Sequence, residues 1–289
     1  MTLLQRVSKH AARILITALL GALLGATLVR FAPGFDVDER ELDIRLSDQT
    51  KAALRADAAA ERDIPKFYLR YIGGLLHGDL GFSRDLNRPA GELIRERFPL
   101  TVREIAIGLT VGWSLGLLLA IPAASLKSWP VNLFAGAVTA TLLSIPAAVL
   151  ALMFVWLRWP ASLAIGLLLT PKIFAYTRNL LLHGYELPHV LTARSKGAGE
   201  WRVFLWHVLP PAAPQIIALA GVTVSVAIGA AIPIEALCDQ PGIGQLAWQA
   251  ALARDLVLLV NLTLIVTLIT VVANSFSDLL GEGLKRSHA

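Results

Sequence analysis

The residues that would carry catalysis are sparse in this sequence. Cys238 is the single cysteine, so neither an internal disulfide nor a Cys-rich metal site is available. The six histidines (10, 77, 183, 189, 207 and 288) are scattered, and no His-Glu-x-x-His pair occurs to hold a zinc ion. No lysine follows a glycine, which removes the Gly-Lys-Ser/Thr loop that cradles nucleotide phosphates. Pro241-Gly-Ile-Gly244 is glycine-rich but lacks a strand-turn-helix setting, and reads as a tight turn. No local motif marks a nucleophilic serine. The chain is therefore expected to be non-enzymatic, with no metal and no cofactor.

The elements that would position any site explain this scarcity. Of 289 residues 55% are hydrophobic and only 16% charged, against about 25% charged in ordinary soluble domains. The mean hydropathy is +0.62. A soluble core of this size cannot hide so much apolar surface, so the chain reads as an all-α polytopic membrane protein. The net charge of +5 is assigned to Lys and Arg anchoring inner loops rather than to a nucleic-acid partner.

Uncharged runs of about 20 residues are long enough to span a bilayer. They occur at 14–29, 105–126, 128–157, 203–234 and 256–277. A sixth candidate, about 160–181, contains Lys172, which can snorkel toward an interface. The basic residues Arg6, Lys9 and Arg13 also suit a signal peptide, but no small-x-small cleavage site follows, so the first run is read as a retained anchor. Pro122, Pro146 and Pro233 lie within or near span ends, where neighbouring helices can satisfy freed carbonyls. This predicts six spans in three segments: 1–30, with the amino-terminal tail and first span; 31–99, an outer segment; and 100–289, a five-span core.

Lys and Arg concentrate in one set of short loops, Lys127, Arg178, Arg194, Lys196, Arg202, Lys285 and Arg286, together with the amino end. The positive-inside rule then places both termini in the cytoplasm. The outer segment is locally helix-prone after Ser47, a suitable helix cap, and reads as a small helical cap or else a solvated linker. Beyond Lys172 the spans carry almost no ionisable group. That counts against a self-sufficient secondary carrier, the alternative reading, since proton-coupled carriers rely on intramembrane relays. The polar residues Asn132, Thr139, Thr141, Ser144, Thr223, Ser225, Asn261, Thr263, Thr267 and Asn274 are assigned mainly to helix packing, with a minority left to line a path.

The inner loop, about 183–210, places small residues (Ala193, Gly197, Ala198, Gly199) among basic and aromatic ones. It reads as a short helix, a glycine turn and a second helix. Such a turn lets another protein approach the backbone closely, though a positively charged anchor with a helix break has the same composition. Thr192-Ala-Arg-Ser-Lys-Gly197 followed by Leu209-Pro210 resembles the EAA-type cytoplasmic loop of ABC-importer permeases of the dipeptide/oligopeptide/nickel branch. His77-Gly-Asp-Leu-Gly-Phe-Ser83, Arg97-Phe-Pro-Leu-Thr101, Glu235-Ala-Leu-Cys-Asp-Gln-Pro-Gly-Ile-Gly244 and Ala253-Arg-Asp255 are similar to further segments of that family, in the same order. Leu191 replaces the leading Glu, Phe31-Ala-Pro-Gly-Phe-Asp36 lacks a second proline, and Arg158-Trp-Pro160 is a shorter connection than relatives carry.

The resemblance implies an inner-membrane permease subunit that encloses a path with a second, homologous permease. It also implies two ATPase subunits on the inner loops, an external substrate-binding protein, and alternating access driven by ATP. On this basis Ala193, Arg194, Gly197, Ala198 and Glu200 are expected to dock the ATPase, Gly197 as the close turn and Arg194 and Glu200 as polar contacts. Asp79, Glu235, Pro241 and Gly244 are expected to shape the outer face.

Overall fold

The computed structural model describes residues 16, 17, 20, 21, 24, 27, 64–126 and 128–287. Those six isolated positions before residue 64 are helical; the rest of the predicted first span, and the predicted cap at Ser47, lie outside the described residues. The elements in chain order are α1 (Ile64–Leu76), β1 (Phe82–Ser83), β2 (Arg88–Pro89), α2 (Ala90–Ser125), α3 (Trp129–Ser144), α4 (Ala147–Leu157), α5 (Ala161–Tyr185), α6 (Pro188–Ser195), α7 (Glu200–Val203), a π-turn (Phe204–Val208), α8 (Leu209–Leu237), α9 (Ile243–Leu252) and α10 (Leu256–Ser287). The two strands form one antiparallel hairpin, pairing Phe82 with Pro89 and Ser83 with Arg88.

Three helices among the described residues are long and apolar enough to cross a membrane: Ala90–Ser125, Glu200–Leu237 and Leu256–Ser277. The predicted span over 128–157 is not one helix. It breaks into α3 and α4 with a bend of 95°. Pro146 is the physical reason: it has no N–H to donate and holds Ile145 in an extended conformation (φ −87°, ψ 119°). Pro122 and Pro233, by contrast, sit inside α2 and α8 without ending them. The predicted span at 160–181 coincides with helix α5, which is not among the helices long and apolar enough to cross a membrane; it runs on to Tyr185, so that Arg178 and His183 lie on the helix rather than in a loop.

The chain forms two compact units, 1–98 with 246–268 and 99–245 with 269–289. In the second unit α5 lies at the centre, packed against α3, α4 and α8. It is also seated on a glycine ridge of α2. Gly108, Gly112 and Gly116 recur every fourth residue, and a Cβ on any of them would meet Ile165, Leu169 or Ile173 at 2.6–2.9 Å. This is the small-residue packing by which membrane helices approach backbone to backbone. The core there is Leu150, Phe154, Ile165, Leu169, Ile173 and Ile234. Arg158 makes the short α4–α5 connection possible: it adopts a left-handed conformation (φ 56°), and its N–H returns to the carbonyls of Phe154 and Val155. In the first unit Tyr68, Leu256 and Val260 form the buried cluster, with Phe67 and Tyr71 packed against it.

Candidate functional site

The loop predicted at 183–210 is a packed helical hairpin. Pro188 starts α6 at its first turn. Val190 and Ala193 of α6 and Val203, Phe204 and Val208 beyond the turn are buried together against Leu181, Tyr185 and Ala212. Pro210 and Pro211 have no N–H to offer the His207 carbonyl, and the His189 ring donates to it from Nε2 at 2.8 Å. Between α6 and α7, Gly197 has φ +80°, a conformation that side chains rarely adopt, and Ala198 N–H donates to Ala193 O at 3.1 Å. A Cβ at Gly197 or Gly199 would meet nothing within 4 Å. The backbone of the turn is therefore open to an approaching surface.

Of the residues expected to dock a partner, Gly197 and Glu200 are exposed, Arg194 and Ala198 are half-buried, and Ala193 is buried in the hairpin's own core. Ala193 accordingly holds the hairpin together rather than presenting a surface. Arg194 Nη2 donates to Glu200 Oε2 at 2.8 Å, and its guanidinium lies over the Tyr185 ring at 5.4 Å. These two charges first satisfy each other, clamping the turn across six residues. The most exposed large apolar groups of the hairpin are Trp206, Leu191 and Trp201, at 74%, 73% and 68% exposure. The sequence marks Leu191 only as a departure from the family's Glu, and gives Trp201 no role of its own.

A second constellation lies at the end of α8. Glu235, expected to shape an outer face, is fully buried, and its Oε2 accepts from Gly244 N at 2.6 Å. A Cβ at Gly242 would run into this carboxylate. Thr101 Oγ1 accepts from Ile243 N at 2.7 Å, and Gln245 Nε2 donates to Asp239 Oδ1 at 2.6 Å. Pro241 is exposed at the tip and Gly244 is buried beneath it. Glu235 thus shapes the turn from within.

A third constellation lies in the first unit. Asp79, exposed, accepts from Gly81 N at 2.8 Å. Gly81 has φ +75° and passes its backbone against Val257. Ser83 Oγ donates to Asp255 Oδ2 at 2.6 Å, while Asp255 Oδ1 caps α10 by accepting from Leu258 N at 3.1 Å. Asn261 donates to Leu80 O at 2.7 Å and accepts from the Tyr71 hydroxyl at 2.9 Å. Burial, with Tyr68 nearby, pushes the Tyr71 hydroxyl up to about 12, so it remains the donor. The predicted His77–Ser83 and Ala253–Asp255 segments are brought together here. Among the described residues no group of three or more His, Cys, Asp or Glu is placed to hold a metal ion.

Apolar helices in tandem define a multi-pass membrane protein. Residues 114–287 match the family described as the binding-protein-dependent transport system inner membrane component, and the chain belongs to it. A Brucella ovis protein named as a peptide permease is 29% identical over 90% of this chain and 92% of its own length. The glutathione transport system permease protein of Pectobacterium atrosepticum is 24% identical over 89% of this chain and 87% of its own. The fold is similar to a chain of the MetNI methionine ABC transporter in an inward-facing conformation. The TM-score is 0.52 at 20% identity, covering 68% of this chain and 94% of that one. The chain is a permease subunit of an ABC importer, as the motif order implied.

Proposed function

We propose that this chain carries peptides, or similarly small solutes, delivered by an external binding protein, and that it works as one of two homologous permeases seated on two ATPase subunits. The names of the Brucella and Pectobacterium relatives support the peptide class. The observation that carries the coupling role is the 188–208 hairpin. Its inner side is buried, its turn backbone is open at Gly197 and Gly199, and it presents Leu191 and Trp201 outward. Arg194 and Glu200 hold the turn rigid, so a push on the hairpin is transmitted into α5 and α8 instead of being absorbed by the loop. ATP-driven motion of the partners would then rock the helices between two arrangements. ATP hydrolysis belongs to the partners. Both termini and the hairpin lie on the cytoplasmic side, with segment 31–99 outside.

The test is purification of the tagged chain in mild detergent from cells that express its partners, identification of the accompanying chains, and reconstitution with the binding protein. ATP-dependent uptake of trialanine into the vesicles, with a second permease and ATPase chains present, is expected. Uptake by the single chain alone would instead establish the self-sufficient carrier.

A further inference from the structure

Helix α5 is buried on almost every side, yet five of its residues are exposed: Lys172, Ala175, Tyr176, Asn179 and His183. At 100° per residue they fall within about 100° of arc, a single stripe along its second half. None of the five is a large aliphatic residue. The exposed groups of neighbouring elements are different in kind: Leu133, Phe134, Leu143, Leu152 and Trp156 on α3 and α4, and Val222 on α8. Those suit lipid. A polar stripe on the most enclosed helix of the unit does not, because an ammonium and an amide facing hydrocarbon each lose their hydration.

Lys172 supplies the only full positive charge on the stripe, and no carboxylate pairs with it among the described residues. Arg178, on the flank, is occupied: it donates to Asn132 Oδ1 at 3.0 Å, tying α5 to α3. The acidic group nearest along the chain on this side is Glu186, just past the helix, roughly 21 Å away at 1.5 Å per residue. The stripe therefore offers one uncompensated cation, flanked by a phenol and an amide that can donate or accept hydrogen bonds.

We propose that the Lys172–Tyr176–Asn179 stripe lines the aqueous solute path and that Lys172 pairs with a carboxylate of the passing solute. This rests on the permease reading above but not on the identity of the cargo. A carboxylate would form a charge-assisted hydrogen bond with Lys172, while Tyr176 and Asn179 replace part of its lost hydration.

The test uses the assembled importer in membrane vesicles, in a Cys238→Ser background, with single cysteines introduced by Tyr176→Cys or Asn179→Cys. Phe134→Cys and Val222→Cys serve as lipid-side controls. Each is reacted with an anionic (sulfonatoethyl) and a cationic (trimethylammonioethyl) methanethiosulfonate. Both stripe positions should react at least tenfold faster than both controls. Adding Lys172→Gln should lower the anionic-to-cationic rate ratio at the stripe three- to tenfold, since the ratio reads the local field. Stripe rates equal to the controls would overturn the path assignment and place this face against another chain. Fast labelling with an unchanged ratio would overturn the carboxylate role of Lys172. Neither readout requires transport, so failure of trialanine uptake would count against the proposed cargo alone.

Discussion

Ser83 and Asp255 stand 172 residues apart and share a buried hydrogen bond of 2.6 Å. Asp255 also caps α10 through Leu258 N, and Ser83 accepts in turn from Leu86 N at 3.2 Å. One carboxylate thus fixes both the β1 turn and the start of the last helix. Asp255→Ala should lower the stability of the solubilised protein by about 1–3 kcal/mol, the range for a lost cap plus a stranded buried hydroxyl. Asp255→Asn, which keeps an acceptor, should lose less. Thermal unfolding followed by tryptophan fluorescence checks the order, and Ser83→Ala added to Asp255→Ala should cost less than the sum of the two.

The turn after α8 makes a sharper prediction. Gly242 has no room for a Cβ because the Glu235 carboxylate occupies it. Gly242→Ala should destabilise by roughly 1–3 kcal/mol, and Glu235→Ala should relieve part of that loss when combined with it. Equal and additive losses in the four-member cycle would show that the two residues do not meet.

The glycine ridge of α2 should respond in the same sense. Gly112→Leu should separate α2 from α5 and sharply reduce the amount of folded protein in the membrane, because Leu169 and the Gly166 backbone already lie within 3.0 Å of any added Cβ. Gly136, whose Cβ would meet nothing within 4 Å, should tolerate alanine. Fluorescence-detected size-exclusion profiles of the two variants distinguish them.

Segment identity and order were legible in the sequence because short motifs there encode backbone demands. Gly81 and Gly197 sit at positive φ, and Asp255 is a cap, so each motif residue has a local reason to be what it is. The break at Pro146 was not legible, because the same proline residue type is absorbed inside α2 and α8 when neighbours allow. The burial of Ala193 and Glu235 was hidden for a related reason: a small residue or an acid in a loop motif looks like surface until its packing partners are known. The Gly108–Gly112–Gly116 ridge was readable at its four-residue spacing and was passed over. Leu191 and Trp201 stood out only once the rest of the hairpin was seen to be buried.

The charge asymmetry of the loops predicts the orientation. Reporter fusions at Asp57 and Gln249 should read outside, and fusions at Gly199 and Ser287 inside. An inside signal at Asp57 would reverse the assignment of the hairpin to the cytoplasm.

Docking at the hairpin is the claim on which the coupling account depends. Gly197→Trp would confound contact with strain, since Gly197 holds φ +80°, whereas Gly199 has φ −64° and open space around it. Gly199→Trp should therefore leave the chain folded in the membrane while cutting recovery of the ATPase subunits and ATP-dependent uptake at least tenfold.

The most direct measurement is photo-cross-linking from position 201, with a photoreactive amino acid replacing Trp201 in the assembled importer and Trp156 as the comparison site. An adduct with an ATPase subunit is expected from position 201 and none from position 156. Recovery of the ATPase subunits in the complex with no adduct from position 201, at the same reactive-group loading, would contradict it.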